Sequence, residues 1–409
     1  MKTTALFLVS LMLIASFVLV TSAFSQPSPQ TSTATVQQVP QLDVFNRDAY
    51  TTVPFNIGFV SPLSVGNIVQ AATGKRVISN VSLHAIGNVG NAVEGLEWSG
   101  IFNVQSDYVQ GAQAAGIINI VGNDASWLQG AGIANIVSGR FEGAQGAGIL
   151  NIAAKGFRGA QGAGIINVSG NIEGVQGAGV INVAGDMSGV QAAGVMNIAR
   201  NVRGLQSSGV SNHAGNVDGV QLSGILNTAK HVTGAQIGLI NTADNNEGVM
   251  IGLLNFSAAH GIHVDFWTDE TRFIRLGLRT GNKHFYNLLT GGLQPFNGIT
   301  LWSLGYGVGT QIFFSQQDYL DLSAHGEAVL QGTSLNSWLG VVGISRLRFF
   351  YGHQFAKNFS VFIGPTVNWA WNSNGSNMIQ EIFPAGWAIS SPQYGYGIAW
   401  IGVSGGFRF

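Results

Sequence analysis

The sequence predicts an all-β protein, a β-solenoid of about eleven repeats of 14–16 residues followed by an antiparallel β-barrel of about eight strands. Three observations support this fold class. A motif containing glycine, glutamine and asparagine recurs through the middle of the chain, apolar residues alternate with small or polar ones near its end, and only 9% of residues are charged. Soluble domains carry about 25% charged residues. The low charge therefore indicates a membrane environment for part of the chain.

Composition also excludes several classes of function. The formal net charge is −1 and there is no long basic run, which argues against electrostatically driven nucleic-acid binding. The chain has no cysteine, so disulfides, thiolate zinc sites, cysteine nucleophiles and a lipidated N-terminal cysteine are excluded. Its 9 prolines and the absence of a Gly-X-Y period exclude collagen.

Residues 1–25 have the features of a secretory signal peptide. Lys2 supplies a positive charge, residues 5–20 form an uncharged apolar run, and Ala23 and Ser25 are small residues at a cleavage site. An apolar run of about 16 residues is short for a membrane span. No later stretch is long and apolar enough for a transmembrane helix, so membrane insertion would require a closed barrel.

Two segments are expected between the signal peptide and the repeats. Residues 26–50 are rich in Gln, Ser, Thr and Pro, which predicts a flexible linker. Residues 51–94 contain degenerate copies of the repeat and are expected to form a lead-in or cap. The repeat region proper covers residues 95–260, and the barrel covers residues 261–409.

The repeat is defined by a glutamine and an asparagine that are expected to be buried in each copy. Such regularity identifies a repeat architecture. A glycine stands three residues before each motif asparagine, and Glu97 and Met250 replace the glutamine in the outer copies. The positions predicted to form side-chain ladders are Gln113, Asn119, Gln145, Asn151, Gln161, Asn167, Gln176, Asn182, Gln191, Asn197, Gln206, Asn212, Gln221, Asn227, Gln236 and Asn241.

Charged residues in this region fall between the motifs, so each repeat has one solvated turn. The other residues of a repeat are too few to form a core alone and must pack against the neighbouring repeats. In a solenoid, equivalent amides stack about 4.8 Å apart and bond from coil to coil. The alternative is that each repeat is a β-hairpin in one large sheet or barrel. Repeat lengths that vary by one residue favour the solenoid, because such a change within a hairpin strand would exchange its two faces.

Alternation of apolar residues with small or polar ones predicts the barrel. In residues 359–371 the apolar set is Phe359, Val361, Ile363, Pro365, Val367, Trp369 and Trp371. This pattern is typical of lipid-facing strands of outer-membrane barrels. The predicted strands are 262–266, 272–280, 284–291, 300–314, 318–331, 339–353, 359–371 and 396–409. The segments 292–299, 332–338 and 372–395 are expected to be the longer connections.

Two parts of the chain resemble known proteins. The units that begin Gly-x-Gln and end Gly-apolar-apolar-Asn resemble those of bacterial surface-repeat proteins, and residues 274–281 are similar to the segment after the repeats in that group. The ending, with Phe407 and Phe409 in the apolar phase, resembles the C-terminal signature of outer-membrane β-barrels. The resemblance implies placement in the cell envelope, and it assigns no catalytic residue.

The titratable residues do not suggest catalysis. His260, His263 and Asp265 have a loosely metal-like spacing, but they begin the first predicted barrel strand and are interpreted as ordinary strand residues. No cofactor or metal is expected. The charged residues that alternation directs into the barrel are expected to satisfy one another, because eight-stranded barrels are filled by side chains; they are Arg275, Arg279, Asp321, His325, Glu327, Arg346 and Arg348.

We therefore expect a non-enzymatic protein of the outer membrane, in contact with its lipid, with a structural or surface-interaction role. The alternative is a secreted or periplasmic solenoid that binds a glycan or peptide through its Gln and Asn faces. An even-stranded barrel that ends in the periplasm also begins there, which would place the solenoid inside. The sequence leaves the side of the membrane open.

Overall fold

The computed structural model describes residues 47–271, 273–282, 284–296, 299–331, 342–372, 387–391 and 395–409. It is all-β, with a solenoid of about twelve turns followed by a closed barrel of eight antiparallel strands. The predicted fold class is thereby confirmed, and the hairpin alternative is wrong because the repeat strands pair in parallel. The predicted signal peptide and most of the predicted linker lie outside the described residues. The chain forms two compact units that divide between Leu128 and Gln129.

The described part of the first unit begins with a 3-10 helix, Arg47–Ala49, and contains one α-helix. This helix, α1 (Val65–Thr73), starts at Ser64, whose Oγ accepts from the backbone N–H of Asn67, and ends at Gly74 in the left-handed region with φ 66°. No helix in the described part of the chain is long and apolar enough to cross a membrane. The strands are β1 (Tyr50–Val60), β2 (Leu63–Ser64), β3 (Arg76–Gly90), β4 (Ala92–Ser99), β5 (Phe102–Gln105), β6 (Val109–Ala115) and β7 (Ile118–Val121), with β8 (Ala125–Ala131) crossing the division.

The second unit contains the rest of the solenoid, in which each coil is a short run of strands. Equivalent residues of successive coils pair in parallel, so that Gln161 pairs with Gln176 and Asn167 with Asn182. The strands are β9 (Ala134–Val137), β10 (Arg140–Ala147), β11 (Leu150–Ala163), β12 (Ile166–Ala178), β13 (Ile181–Val183), β14 (Asp186–Ala193), β15 (Met196–Ile198), β16 (Asn201–Ser208), β17 (Ser211–His213), β18 (Asn216–Val217), β19 (Val220–Ser223), β20 (Leu226–Val232), β21 (Ala235–Ile237), β22 (Ile240–Asn246), β23 (Val249–Ile251) and β24 (Leu254–Ser257).

Seven successive coils of the second unit each contribute one buried residue to an apolar column beside the polar motif residues, and Asn246 takes this position in the next coil. The column consists of Phe141, Phe157, Ile172, Met187, Val202, Val217 and Val232, all at most 4% exposed. Charged residues lie on the opposite, solvated edge, where Arg158 approaches Glu142 and Glu173 within 4.0 and 3.7 Å. These exposed pairs contribute little stability, so the buried columns hold the coils together.

The barrel strands alternate in direction, and the first pairs with the last to close the ring, with Asp265 opposite Arg408. The strands are β25 (Ile262–Asp269), β26 (Ile274–Gly281), β27 (Tyr286–Phe296), β28 (Ile299–Phe313), β29 (Asp318–Gln331), β30 (Val342–Ala356), β31 (Phe359–Asn372), β32 (Trp387–Ser391) and β33 (Gly395–Arg408). Among the described strands, β32 pairs only with β33, at its start, and it is not part of the closed ring.

Two predicted connections differ from the structure. The segment 292–299 was expected to be a long connection, but β27 continues to Phe296 and pairs with β28 up to Ile299. Its glycines and proline indicate a break, yet an adjacent strand of the barrel supplies hydrogen-bond partners that local sequence cannot reveal. Strand β32 lies within the expected connection 372–395, and the segment 332–338 lies outside the described residues.

Candidate functional site

In the second unit, the motif asparagines form a column of hydrogen bonds inside the solenoid. The Nδ2 group of Asn182 donates to Oδ1 of Asn197 at 3.0 Å and to the backbone carbonyl of Ala192 at 2.6 Å. Its own Oδ1 accepts from Asn167 at 2.9 Å. Both amide hydrogens and the carbonyl of this fully buried side chain are therefore satisfied, and the same bonds recur from coil to coil.

The motif glutamines form a second column with the opposite direction. Nε2 of Gln191 donates to Oε1 of Gln176 at 2.8 Å, towards the preceding coil, and Oε1 of Gln191 accepts from Gln206 at 2.9 Å. The asparagines donate towards the following coil. The two sets of amide dipoles thus oppose each other, so a long stack of aligned amides does not build up a large net dipole.

Glu97 occupies the glutamine position in the first unit and is fully buried. Its carboxylate accepts from Asn88 at 2.8 Å, Gln105 at 2.5 Å, Gln113 at 2.7 Å and Ser82 at 3.4 Å. Burial raises the pKa of Glu97, and the four donors oppose that rise. A carboxylate can only accept hydrogen bonds. It therefore suits this position, because Gln113 of the next coil donates its Nε2–H group to it.

The structure places every sequence-predicted ladder residue inside the solenoid. All are at most 3% exposed: Gln113, Asn119, Gln145, Asn151, Gln161, Asn167, Gln176, Asn182, Gln191, Asn197, Gln206, Asn212, Gln221, Asn227, Gln236 and Asn241. Their side chains support the coils and are not accessible to a glycan or peptide on the surface. The ladders therefore have a structural role in the folded protein.

Among the described residues, the barrel interior contains two groups of ion pairs. In the first, Arg275 binds Asp269 at 2.7 Å and also pairs with Glu327, while Arg346 binds Asp269 at 2.8 Å. His325 contacts the other oxygen of Glu327 at 3.1 Å. All five side chains are buried, so each charge depends on its partners to offset the cost of leaving water.

The second group lies nearer the strand ends that contain both barrel termini. Arg408 binds both oxygens of Asp265 at 2.7 Å and contacts Asp321 at 3.1 Å. Arg279 also contacts Asp321 at 3.1 Å, and the Tyr286 hydroxyl donates to the same carboxylate. Strands far apart in sequence are thereby joined across the lumen.

Sequence alternation placed seven charged residues of strands β26, β29 and β30 on the inward side, and all seven are buried. It did not identify Asp265, Asp269 or Arg408 as their partners. The signal was available, because Asp265 and Asp269 share the phase of Trp267, and Arg408 lies between the outward Phe407 and Phe409. In β25 the adjacent apolar residues Phe266 and Trp267 concealed the phase.

The barrel exterior is apolar. Ile274, Leu304, Ile363 and Ile401 are 69, 56, 58 and 65% exposed, and their strand neighbours Arg275, Ser303 and Phe362 are buried. Phe407 and Phe409 lie on the same outer surface, 50 and 52% exposed. The ring of Phe359 is 6.1 Å from that of Phe407 and 5.4 Å from that of Phe409.

The last coils of the solenoid are bonded to the barrel. Asn282 donates to the carbonyls of Asn246 and Gly248 at 3.1 and 2.7 Å. Asn287 donates to the Met250 carbonyl at 2.7 Å, and Tyr306 donates to that of Gly252 at 3.2 Å. These side chains satisfy alternate carbonyls at the open end of the parallel stack, where no further coil is available.

No protein-family model, curated protein or solved structure that we compared with this chain matches it.

Proposed function

We propose that the protein is a non-enzymatic component of a bacterial outer membrane, with the barrel crossing the lipid layer and the solenoid fixed to one barrel end. The observation that carries the proposal is the polarity of the barrel, which is apolar outside and charged inside. A water-soluble barrel has the reverse arrangement, with an apolar interior. Lipid would cover the outward residues, whereas water would not.

Aromatic residues at one end of the barrel also support a membrane role. Phe314, Phe355 and Phe409 are 64, 63 and 52% exposed, near the ends of their strands. Transmembrane barrels carry rings of aromatic residues at the membrane–water interface. The same end is where the solenoid is attached and where both barrel termini lie.

We further propose that the solenoid is on the periplasmic side. At the barrel end to which the solenoid is bonded, the connections between strands are short, namely residues 282–285, 314–317 and 357–358. At the opposite end, the intervals 270–273 and 297–298 are also short, whereas 332–341 and 373–394, the second of which includes β32, are longer than any interval at the solenoid end. Outer-membrane barrels keep short turns in the periplasm and longer loops outside. This arrangement favours a structural role within the envelope over recognition at the cell surface.

Fractionation of cells that express the full chain tests the membrane assignment. The protein should stay with the outer membrane after a high-salt wash, and it should migrate differently on gels with and without boiling. Protease added to intact cells should leave the solenoid uncut. Release into the soluble fraction would refute the membrane assignment, whereas cleavage within the solenoid of intact cells would refute only its periplasmic position.

A paired variant makes the test specific to the barrel surface. Ile401→Arg places a charge on the outer face, which costs about 2–4 kcal/mol at the middle of a bilayer. It should reduce the heat-modifiable, membrane-inserted form. Ser188→Arg, on the exposed edge of the solenoid, is the control and should insert normally. A soluble barrel would tolerate both changes equally.

A further inference from the structure

A small cavity opens at the end of the barrel that contains the short turns. Its volume is about 170 Å³, below the roughly 300–1,000 Å³ of pockets for drug-sized ligands. A small ligand is therefore the appropriate size. Five side chains that carry or can acquire positive charge line the wall: His260, His263, Arg279, Lys357 and Arg408. None of the described residues that line the cavity is acidic.

The two arginines in the wall form ion pairs with buried carboxylates, and these ion pairs fix their side-chain positions. Arg408 is fixed by Asp265, and Nη1 of Arg279 by Asp321. Within the described part of the chain, the Nε and Nη2 groups of Arg279 make no hydrogen bond. Lys357 is exposed and has no ion pair among the described residues. The wall therefore offers donors that the protein itself does not use.

The buried charges next to the cavity are not balanced. The guanidinium groups of Arg279 and Arg408 line the wall. Together with that of Arg348, which is not part of the wall, they stand against the carboxylates of Asp265 and Asp321. Arg348 is 2% exposed, bonds to the Ser323 hydroxyl at 2.8 Å and leaves its Nη1 group without a partner in the described structure. The ion-pair group farther into the barrel has two arginines matched by two carboxylates, so the excess positive charge lies on the side of the cavity.

We propose that this cavity binds one phosphate group. A phosphate carries up to two negative charges and accepts several hydrogen bonds, and guanidinium and ammonium groups are its usual partners in proteins. The hydroxyls of Tyr319 and Ser360, which also line the wall, bond to each other at 3.0 Å, so this pair has one O–H group left to donate. The phosphate would be either a free anion or the monoester headgroup of a lipid at the barrel mouth, since both present the same chemistry. The site goes beyond the proposed membrane role: binding of the free anion does not depend on that role, whereas binding of a lipid headgroup rests on it.

Calorimetric titration of the full chain, purified in a nonionic detergent without phosphate, tests this site with inorganic phosphate as the probe. The variant with Lys357→Gln and His263→Gln should bind phosphate at least tenfold more weakly. Lys230→Gln, which removes an exposed charge on the solenoid, is the matched control and should change the affinity by less than twofold. Circular dichroism and heat-dependent gel migration establish that all variants are folded.

Absence of phosphate binding by the unaltered chain would overturn the proposal, and so would equal weakening by the control variant. A second titration uses short-chain phosphatidic acid, with phosphatidylcholine of the same chain length as its control. Competition of phosphatidic acid with inorganic phosphate, at lower concentration than phosphate itself, would identify a lipid headgroup as the source. Binding of inorganic phosphate alone would identify the free anion. Either result supports the phosphate site.

Discussion

Single side chains in the solenoid show how a polar interior can be stable. Burying an amide without a partner costs about 1–3 kcal/mol, and each coil of the second unit buries at least one asparagine. The cost is avoided because each amide bonds to its equivalents above and below. Gln236 marks the end of one ladder, because Met250 replaces the next glutamine and leaves Oε1 of Gln236 without a partner among the described residues.

Replacement of one ladder asparagine should destabilise the solenoid strongly. In Asn182→Leu, the Oδ1 of Asn197 keeps no donor, and Asn167 loses an acceptor. We expect a loss of about 1–3 kcal/mol for each buried group left unsatisfied. Chemical denaturation of the full chain in detergent measures the change.

Asn123→Leu is the matched control for that variant, because Asn123 is exposed. Its free energy of unfolding should change by less than about 0.5 kcal/mol. Similar losses in the two variants would show that the ladder bonds do not contribute specifically to stability.

Each coil requires glycines at the points where its backbone closely approaches the backbone of the neighbouring coil. Gly189 has φ 132°, and a Cβ atom added there would lie 2.1 Å from the carbonyl oxygen of Gly174. The equivalent glycines of neighbouring coils have the same conformation. At Gly177, in contrast, an added Cβ would have no atom within 4 Å.

These two glycines give a prediction for the coil. Gly189→Ala should destabilise the protein by about 1–3 kcal/mol or more, because alanine is strained at positive φ. Its Cβ atom would also clash with a backbone oxygen. Gly177→Ala should be close to neutral, or stabilising by a few tenths of a kcal/mol. Thermal unfolding of the two variants checks the difference, and equal melting temperatures would contradict the close-packed corner.

In the molecule as a whole, the solenoid and the barrel obey different rules of assembly. Coils contact only their neighbours along the chain, so the stack is modular. The barrel is closed by pairing of its first and last strands, and its interior charges join distant strands. Loss of one barrel strand would therefore break the ring, whereas loss of one coil leaves the remaining coils compatible.

Deletion of residues 189–203 tests this modularity. Gly189 pairs with Gly174 on one side and Gly204 on the other, so the deletion brings the coils of Gly174 and Gly204 together in register. The shortened chain should fold and keep the heat-modifiable barrel. Deletion of residues 189–196 removes part of a coil, misaligns the ladders and should prevent folding of the solenoid. Equal outcomes for the two deletions would contradict nearest-neighbour stacking.

The sequence by itself determined the spacing of the repeats, the residues common to every coil and the two faces of barrel strands β26, β29, β30 and β31. These features follow from period and polarity, which are local properties of the chain. It also favoured the solenoid over hairpins, because repeats that differ by one residue are difficult to fit into paired strands.

Only the tertiary structure decided which groups meet. The opposite directions of the two ladders, the bonds from Asn282 and Tyr306 to the last coils, and the pairing of Arg408 with Asp265 join residues that are 14 to 143 positions apart. Such contacts depend on ring closure and coil stacking. These bring together distant segments, and the local sequence of one segment does not indicate which other segment it will contact. For the same reason the extension of β27 and the addition of β32 could not be predicted, since adjacent strands supply their hydrogen-bond partners.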